Sequence, residues 1–112
     1  MDRRYRLRDD EQFRRVRREG RSWSHLLVVL CSLPNGLEYS RFGFSVSKRV
    51  GKAVVRNRIK RRLREAARAR QALVEPGYDV VFVARRPIGD ADYRQVDRAV
   101  EQLLAQAGLL RA

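Results

Sequence analysis

The sequence predicts a single α+β domain over residues 1–112, a compact two-layer sandwich in the order α-β-β-(β)-α-β-α, its strands forming one central sheet. Three observations predict it. The length of 112 residues suffices for one modest hydrophobic core and no second one. Apolar residues recur at helical spacing in three segments. Between those segments lie shorter β-branched or aromatic runs bounded by Gly, Pro and Asn.

Each element has its own local signal. Asp9 is placed to cap a first helix over 10–19, with Gln12 completing a capping-box pattern and Gly20 as the stop. Leu26 to Ser32 reads as a strand, Pro34-Asn35-Gly36 as hairpin-turn chemistry, and Tyr39 to Ser47 as the antiparallel partner strand. A short extra strand is expected near Trp23. Phe42, Phe44 and Val46 alternate with Arg41, Gly43, Ser45 and Ser47, which predicts one core face and one open polar face. Ala53 to about Leu73 holds neither Gly nor Pro and carries Val55, Ile59, Leu63, Ala66 and Ala67 on one helical side. Tyr78 to Ala84 is apolar throughout, the pattern of a strand covered on both faces. A last helix is expected from about Asp92 to Ala107, with Gly108 beyond it.

Charge is concentrated in one part of the chain. The net charge is +13, but residues 41–70 carry twelve cations against the single acid Glu65, whereas residues 71–112 are close to neutral. On a 100° wheel Asn57, Lys60, Arg61, Arg64 and Arg68 lie opposite the apolar stripe, so like charges stand at i, i+4 and repel unless an anion neutralises them. A basic face without interleaved acids points to a polyanion, and phosphates of a nucleic acid fit best.

Other function classes find little support. Cys31 and His25 are the only residues of their kinds, which falls short of a structural zinc set and of a two-histidine cleavage site. Asp9, Asp10 and Glu11 suit the start of one helix, and Asp90, Asp92 and Asp97 a loop and the start of another, so neither group is read as a two-metal centre. No catalytic or metal-ligating residue is therefore expected in the protein. No apolar run approaches the length of a membrane span, and Met1 to Arg6 is not followed by an apolar stretch; no membrane contact and a cytoplasmic location are expected. Helix-turn-helix DNA binding is unsupported, because a strand and a basic connector precede Ala53 where a short helix would stand. A general RNA-binding module of ribosomal type remains the alternative.

From Arg41 to Glu65 the chain reads RFGFSVSKRVGKAVVRNRIKRRLRE. This stretch closely resembles the bacterial ribonuclease P protein component. Its specific part is Arg56-Asn57-Arg58 set in that long frame, preceded by a short helix bearing Phe13 and followed by a strand and a helix. The resemblance implies an α+β fold whose strand–helix–strand crossover around the basic helix is left-handed, against the general preference. It implies a protein subunit that binds a catalytic RNA and assists hydrolytic removal of the 5′ leader from precursor tRNA. 

Catalysis is implied to belong to the RNA, with Mg2+ serving the holoenzyme and no cofactor held by the protein alone. Carried over residue by residue, the resemblance assigns RNA contact to Lys48, Arg49, Lys52, Arg56, Asn57, Lys60, Arg61 and Arg64, and Arg58 and Arg68 of the same basic helix complete the expected RNA-binding set. It assigns a leader-binding cleft between the first helix and the sheet to Phe13, with Arg17 and Cys31 standing where further aromatics are expected. A monomer within the ribonucleoprotein is expected.

Overall fold

The computed structural model describes residues 1–111. It contains three helices, α1 (Asp10–Glu19), α2 (Ala53–Arg70) and α3 (Tyr93–Gln106), and four strands, β1 (Arg21–Ser24), β2 (Val28–Pro34), β3 (Arg41–Ser45) and β4 (Tyr78–Ala84). Two of the three helices start where a side chain satisfies the backbone. Asp9 accepts from the Glu11 N–H at 2.8 Å and so caps α1, one residue short of the expected bond to Gln12. Asp92 and Gln95 form the reciprocal capping box of α3, each side chain bonding the other's backbone N–H at 2.9 Å.

The strands form one sheet in the order β1-β2-β4-β3. β2 runs antiparallel to both β1 and β4, and β3 runs parallel to β4 through the α2 crossover. The expected hairpin between β2 and β3 is therefore not formed, because β4 lies between them. The loop chemistry explains the gap. Asn35 does make a turn, its Oδ1 accepting from the Leu37 N–H at 2.8 Å, but its Nδ2 donates to Asp79 Oδ1 at 3.0 Å and its N–H to the Gly77 carbonyl at 2.9 Å. Arg41 closes the same corner with two 2.8 Å bonds to the Asp79 carboxylate. The turn thus grips the start of β4 instead of folding β3 back on β2. β4 takes the central slot because it is apolar on both faces, with Val80, Val81 and Phe82 fully buried.

Alternation along the strands divides the core in two. Val28, Leu30, Phe42, Phe44, Val80 and Phe82 face α2 and α3, meeting Ile59, Leu63, Val96, Val100 and Leu103. Cys31 and Val81 face the other way, where Leu7 and Val16 cover them and Phe13 packs alongside. The helical layer of α2 and α3 is thus complemented by α1 on the opposite face. This corrects the expectation of an open polar face at Gly43, which is buried: a Cβ there would stand 2.6 Å from Phe13 Cζ and 3.2 Å from Leu7 Cβ. Glycine at this position lets the Phe13 ring lie directly on β3.

Candidate nucleic-acid interface

α2 presents its charges on two flanks that the fold treats differently. Gly51, at φ +153°, redirects the chain from the Lys48–Val50 turn into the helix. The first turn of α2 has no acid and its cap, Lys52, makes no side-chain bond, so the exposed Lys48, Arg49 and Lys52 surround a helix end that carries partial positive charge. One flank then turns toward α3. There Arg62 donates to the Ala91 carbonyl at 2.7 Å, Arg58 reaches the Gly89 carbonyl at 3.4 Å, and Arg70 binds Asp97 through two bonds of 2.6 and 2.8 Å and Glu101 at 3.2 Å. Arg70 holds the Asp97 carboxyl below its ordinary pKa by that hydrogen bonding, and its own pKa is raised.

The other flank carries Arg56, Lys60 and Arg64 in an i, i+4, i+8 row, with Asn57 and Arg61 beside it. Among the described residues none of these five side chains has a hydrogen-bond or ion-pair partner, and Arg64 Nε is sheltered from solvent with no acceptor. Arg68, at the end of the face, is already bound to Glu65 at 2.8 Å. Like charges therefore stand at i, i+4 along the row, and among the described residues Arg68 alone of this face has an acidic partner.

Lys60 and Arg64 open onto a groove of about 550 Å³ between α2, the outer edge of β3 and α1. Phe13 and Arg17 line it from α1, and Arg6 and Arg8 from the N-terminal arm. The arm lies along β3, with the Leu7 N–H donating to the Phe42 carbonyl at 2.7 Å. Arg17 also borders a second hollow with Arg49, Arg85 and Arg86. The geometry thus brings together Phe13, Arg17, Lys60 and Arg64, and places Lys48, Lys52, Asn57 and Arg61 on exposed surface.

Two expectations need correction. Cys31 is 6% exposed and packed under α1, part of the core and not of the groove lining; burial pushes its thiol pKa up against the pull of the nearby Arg17 cation. Arg58 is half-buried and turned toward the Gly89 carbonyl, on the flank away from the groove. Conversely, Arg6, Arg8 and Arg14 at the groove, and Arg85 and Arg86 beside the second hollow, were not among the predicted site residues. For Arg6, Arg8 and Arg14 the excess of cations in residues 1–20 is the signal; Arg85 and Arg86 lie in the near-neutral last third, where charge counting gives none. His25 caps the β1–β2 turn, its Nδ1 accepting from the Leu27 N–H at 3.0 Å.

A family model described as Ribonuclease P matches residues 1–108. The chain belongs to the ribonuclease P protein family. It is 47% identical over 112 residues to the ribonuclease P protein component of Roseiflexus castenholzii, covering 99% of this chain and 92% of that relative. The corresponding protein of Herpetosiphon aurantiacus is 46% identical over 109 residues, covering 97% and 89%. Among solved structures, the Staphylococcus aureus RNase P protein superimposes with a TM-score of 0.88 at 30% identity, covering 96% of this chain and 98% of that one. The Thermotoga maritima RNase P protein gives 0.82 at 31% identity, covering 90% and 96%. Membership of the ribonuclease P protein family agrees with the frame from Arg41 to Glu65, and the shared fold includes the β3-α2-β4 crossover that carries the basic helix.

Proposed function

We propose that this chain is the protein subunit of a ribonucleoprotein that removes the 5′ leader from precursor tRNA by hydrolysis, with the chemistry performed by the RNA and its bound Mg2+. The observation that carries the reading is that Lys60 and Arg64, without partners among the described residues, form one side of a groove whose other wall holds Phe13 and Arg17. The row and the cations at the start of α2 neutralise phosphates of the catalytic RNA, releasing counterions and relieving the repulsion along the helix. In the groove, the Phe13 ring offers a stacking face to an unpaired base while Arg17, Lys60 and Arg64 attract the leader's phosphates. The protein acts by positioning, as a monomer in the cytoplasm, and supplies no proton-transfer group or metal ligand.

The test is cleavage of a 5′-end-labelled precursor tRNA by a bacterial ribonuclease P RNA at low magnesium, with and without this protein. Cleavage at the mature 5′ end that depends on the protein is expected. Binding to that RNA without any gain in cleavage would overturn the subunit reading in favour of a general RNA-binding module. Phe13→Ala is expected to weaken binding of precursor with a long leader while sparing mature tRNA; equal loss for both would remove the leader from the groove.

A further inference from the structure

A second aromatic feature lies outside this groove. Tyr5 of the N-terminal arm and Tyr39 of the β2–β3 loop meet edge to face, ring centroids 5.5 Å apart at 84°, and both are only half-buried. They border a separate hollow of about 450 Å³ at the C-terminal end of α2, with Phe42 and Val74 as apolar lining and Glu38 and Gln71 as polar groups. Arg4 stands over the Tyr5 ring at 5.0 Å.

We infer that Tyr5 and Tyr39 form a stacking site for one unpaired nucleobase of an RNA, separate from the Phe13 groove. The inference rests on the RNA-binding reading above. Three observations favour a base over other occupants. Anchoring the arm does not require the tyrosines, because Leu7 is 5% exposed and its N–H is bonded to Phe42. The hollow is a poor phosphate site, because Arg68 at its rim is already paired with Glu65 and Glu38 adds a negative charge. Two rings at right angles form a corner that accepts a flat ring against one face, and the Glu38 carboxylate and Gln71 amide offer hydrogen-bonding groups to its edge. Arg4 adds a guanidinium to the stack. Arg68, one helical turn beyond Arg64, lines the hollow, so an RNA following α2 reaches it.

The test compares Tyr5→Leu/Tyr39→Leu with Tyr5→Phe/Tyr39→Phe in binding to a bacterial ribonuclease P RNA, alongside thermal melting of each protein. Phenylalanine keeps the stacking face and leucine keeps only apolar bulk. The leucine pair is expected to bind about 5- to 150-fold more weakly, the range for one stacked base, with the phenylalanine pair near wild type and the salt dependence unchanged. Equal affinity of the leucine pair and wild type would overturn the inference while leaving the RNA-binding reading intact. A shallower salt slope in the leucine pair would overturn it too, since that marks a lost phosphate contact. Should the leucine pair be unstable, Tyr39→Leu alone carries the same comparison. Failure of the wild type itself to bind the RNA would overturn both readings.

Discussion

The two flanks of α2 carry the same kind of residue and do different work. On the α3 side, Arg62 and Arg70 are held by carbonyls and carboxylates of neighbouring elements. On the other side, Arg56, Lys60 and Arg64 stand in a row without partners among the described residues, and Lys60 and Arg64 line the groove. Net charge cannot distinguish these flanks, because an arginine contributes the same +1 in either place. What separates them is the supply of acceptors: α3 and the segment before it provide Asp97, Glu101 and the Ala91 carbonyl, whereas the groove side offers mainly other cations. A partnered arginine joins two elements, and an unpartnered one is left to attract a ligand.

The largest expected effect is on the groove side. Lys60→Glu/Arg64→Glu is expected to weaken binding to ribonuclease P RNA by roughly 10²-fold or more at 50 mM salt, and to make the salt slope shallower by about 2. A filter-binding titration at 50 and 200 mM salt measures both. The partnered flank responds in stability instead. Arg70→Ala leaves Asp97 without its main partner and is expected to cost about 2 kcal/mol in a denaturant melt. That difference depends on pH. The folded-state pKa of Asp97 lies below its ordinary 3.8, so the pair's contribution is complete above that value and is lost as pH falls through the folded pKa. Wild type and Arg70→Ala should therefore differ by a constant amount near neutrality and converge in acid; a gap that widens on acidification would contradict the assignment.

A smaller effect sharpens the contrast at the groove itself. Gly43→Ala places a methyl against Phe13 and Leu7, and is expected to displace the Phe13 ring at a cost of about 1–2 kcal/mol. Long-leader substrate should lose affinity more than mature tRNA, which a pair of competition titrations would show. The smallest effect belongs to Arg68, whose ion pair with Glu65 is exposed on both sides. Arg68→Ala should leave the melting temperature within error of wild type, as differential scanning calorimetry would measure.

Local signals in the sequence were enough for the elements. The cap at Asp9 and the spacing over 10–19 placed α1, and the unbroken apolar run at 78–84 marked β4 as a strand covered on both faces. Strand pairing was not legible, because Asn35-Gly36 makes a local turn whether the next strand lies beside β2 or one place further along; the deciding bonds run from Asn35 and Arg41 to Asp79, some forty residues away. The same limit applied to Gly43, whose cover comes from Phe13 and Leu7. In the candidate site, helical spacing put Lys60, Arg61 and Arg64 on one side of α2, and of these Lys60 and Arg64 line the groove. It did not show that Arg58 turns toward Gly89, that Cys31 lies beneath α1, or that the N-terminal arm brings Arg6 and Arg8 to the groove. Each of these depends on which element packs beside the residue, and a helical wheel contains no neighbours.

The most direct test of the central claim measures RNA affinity and melting temperature together for two double variants, Lys60→Ala/Arg64→Ala on the groove flank and Arg62→Ala/Arg70→Ala on the α3 flank. The account predicts that the groove pair loses RNA affinity and keeps its melting temperature, while the α3 pair melts several degrees lower and its folded fraction binds RNA within about threefold of wild type. The reverse pattern, with affinity lost only on the α3 flank and stability only on the groove flank, would contradict it.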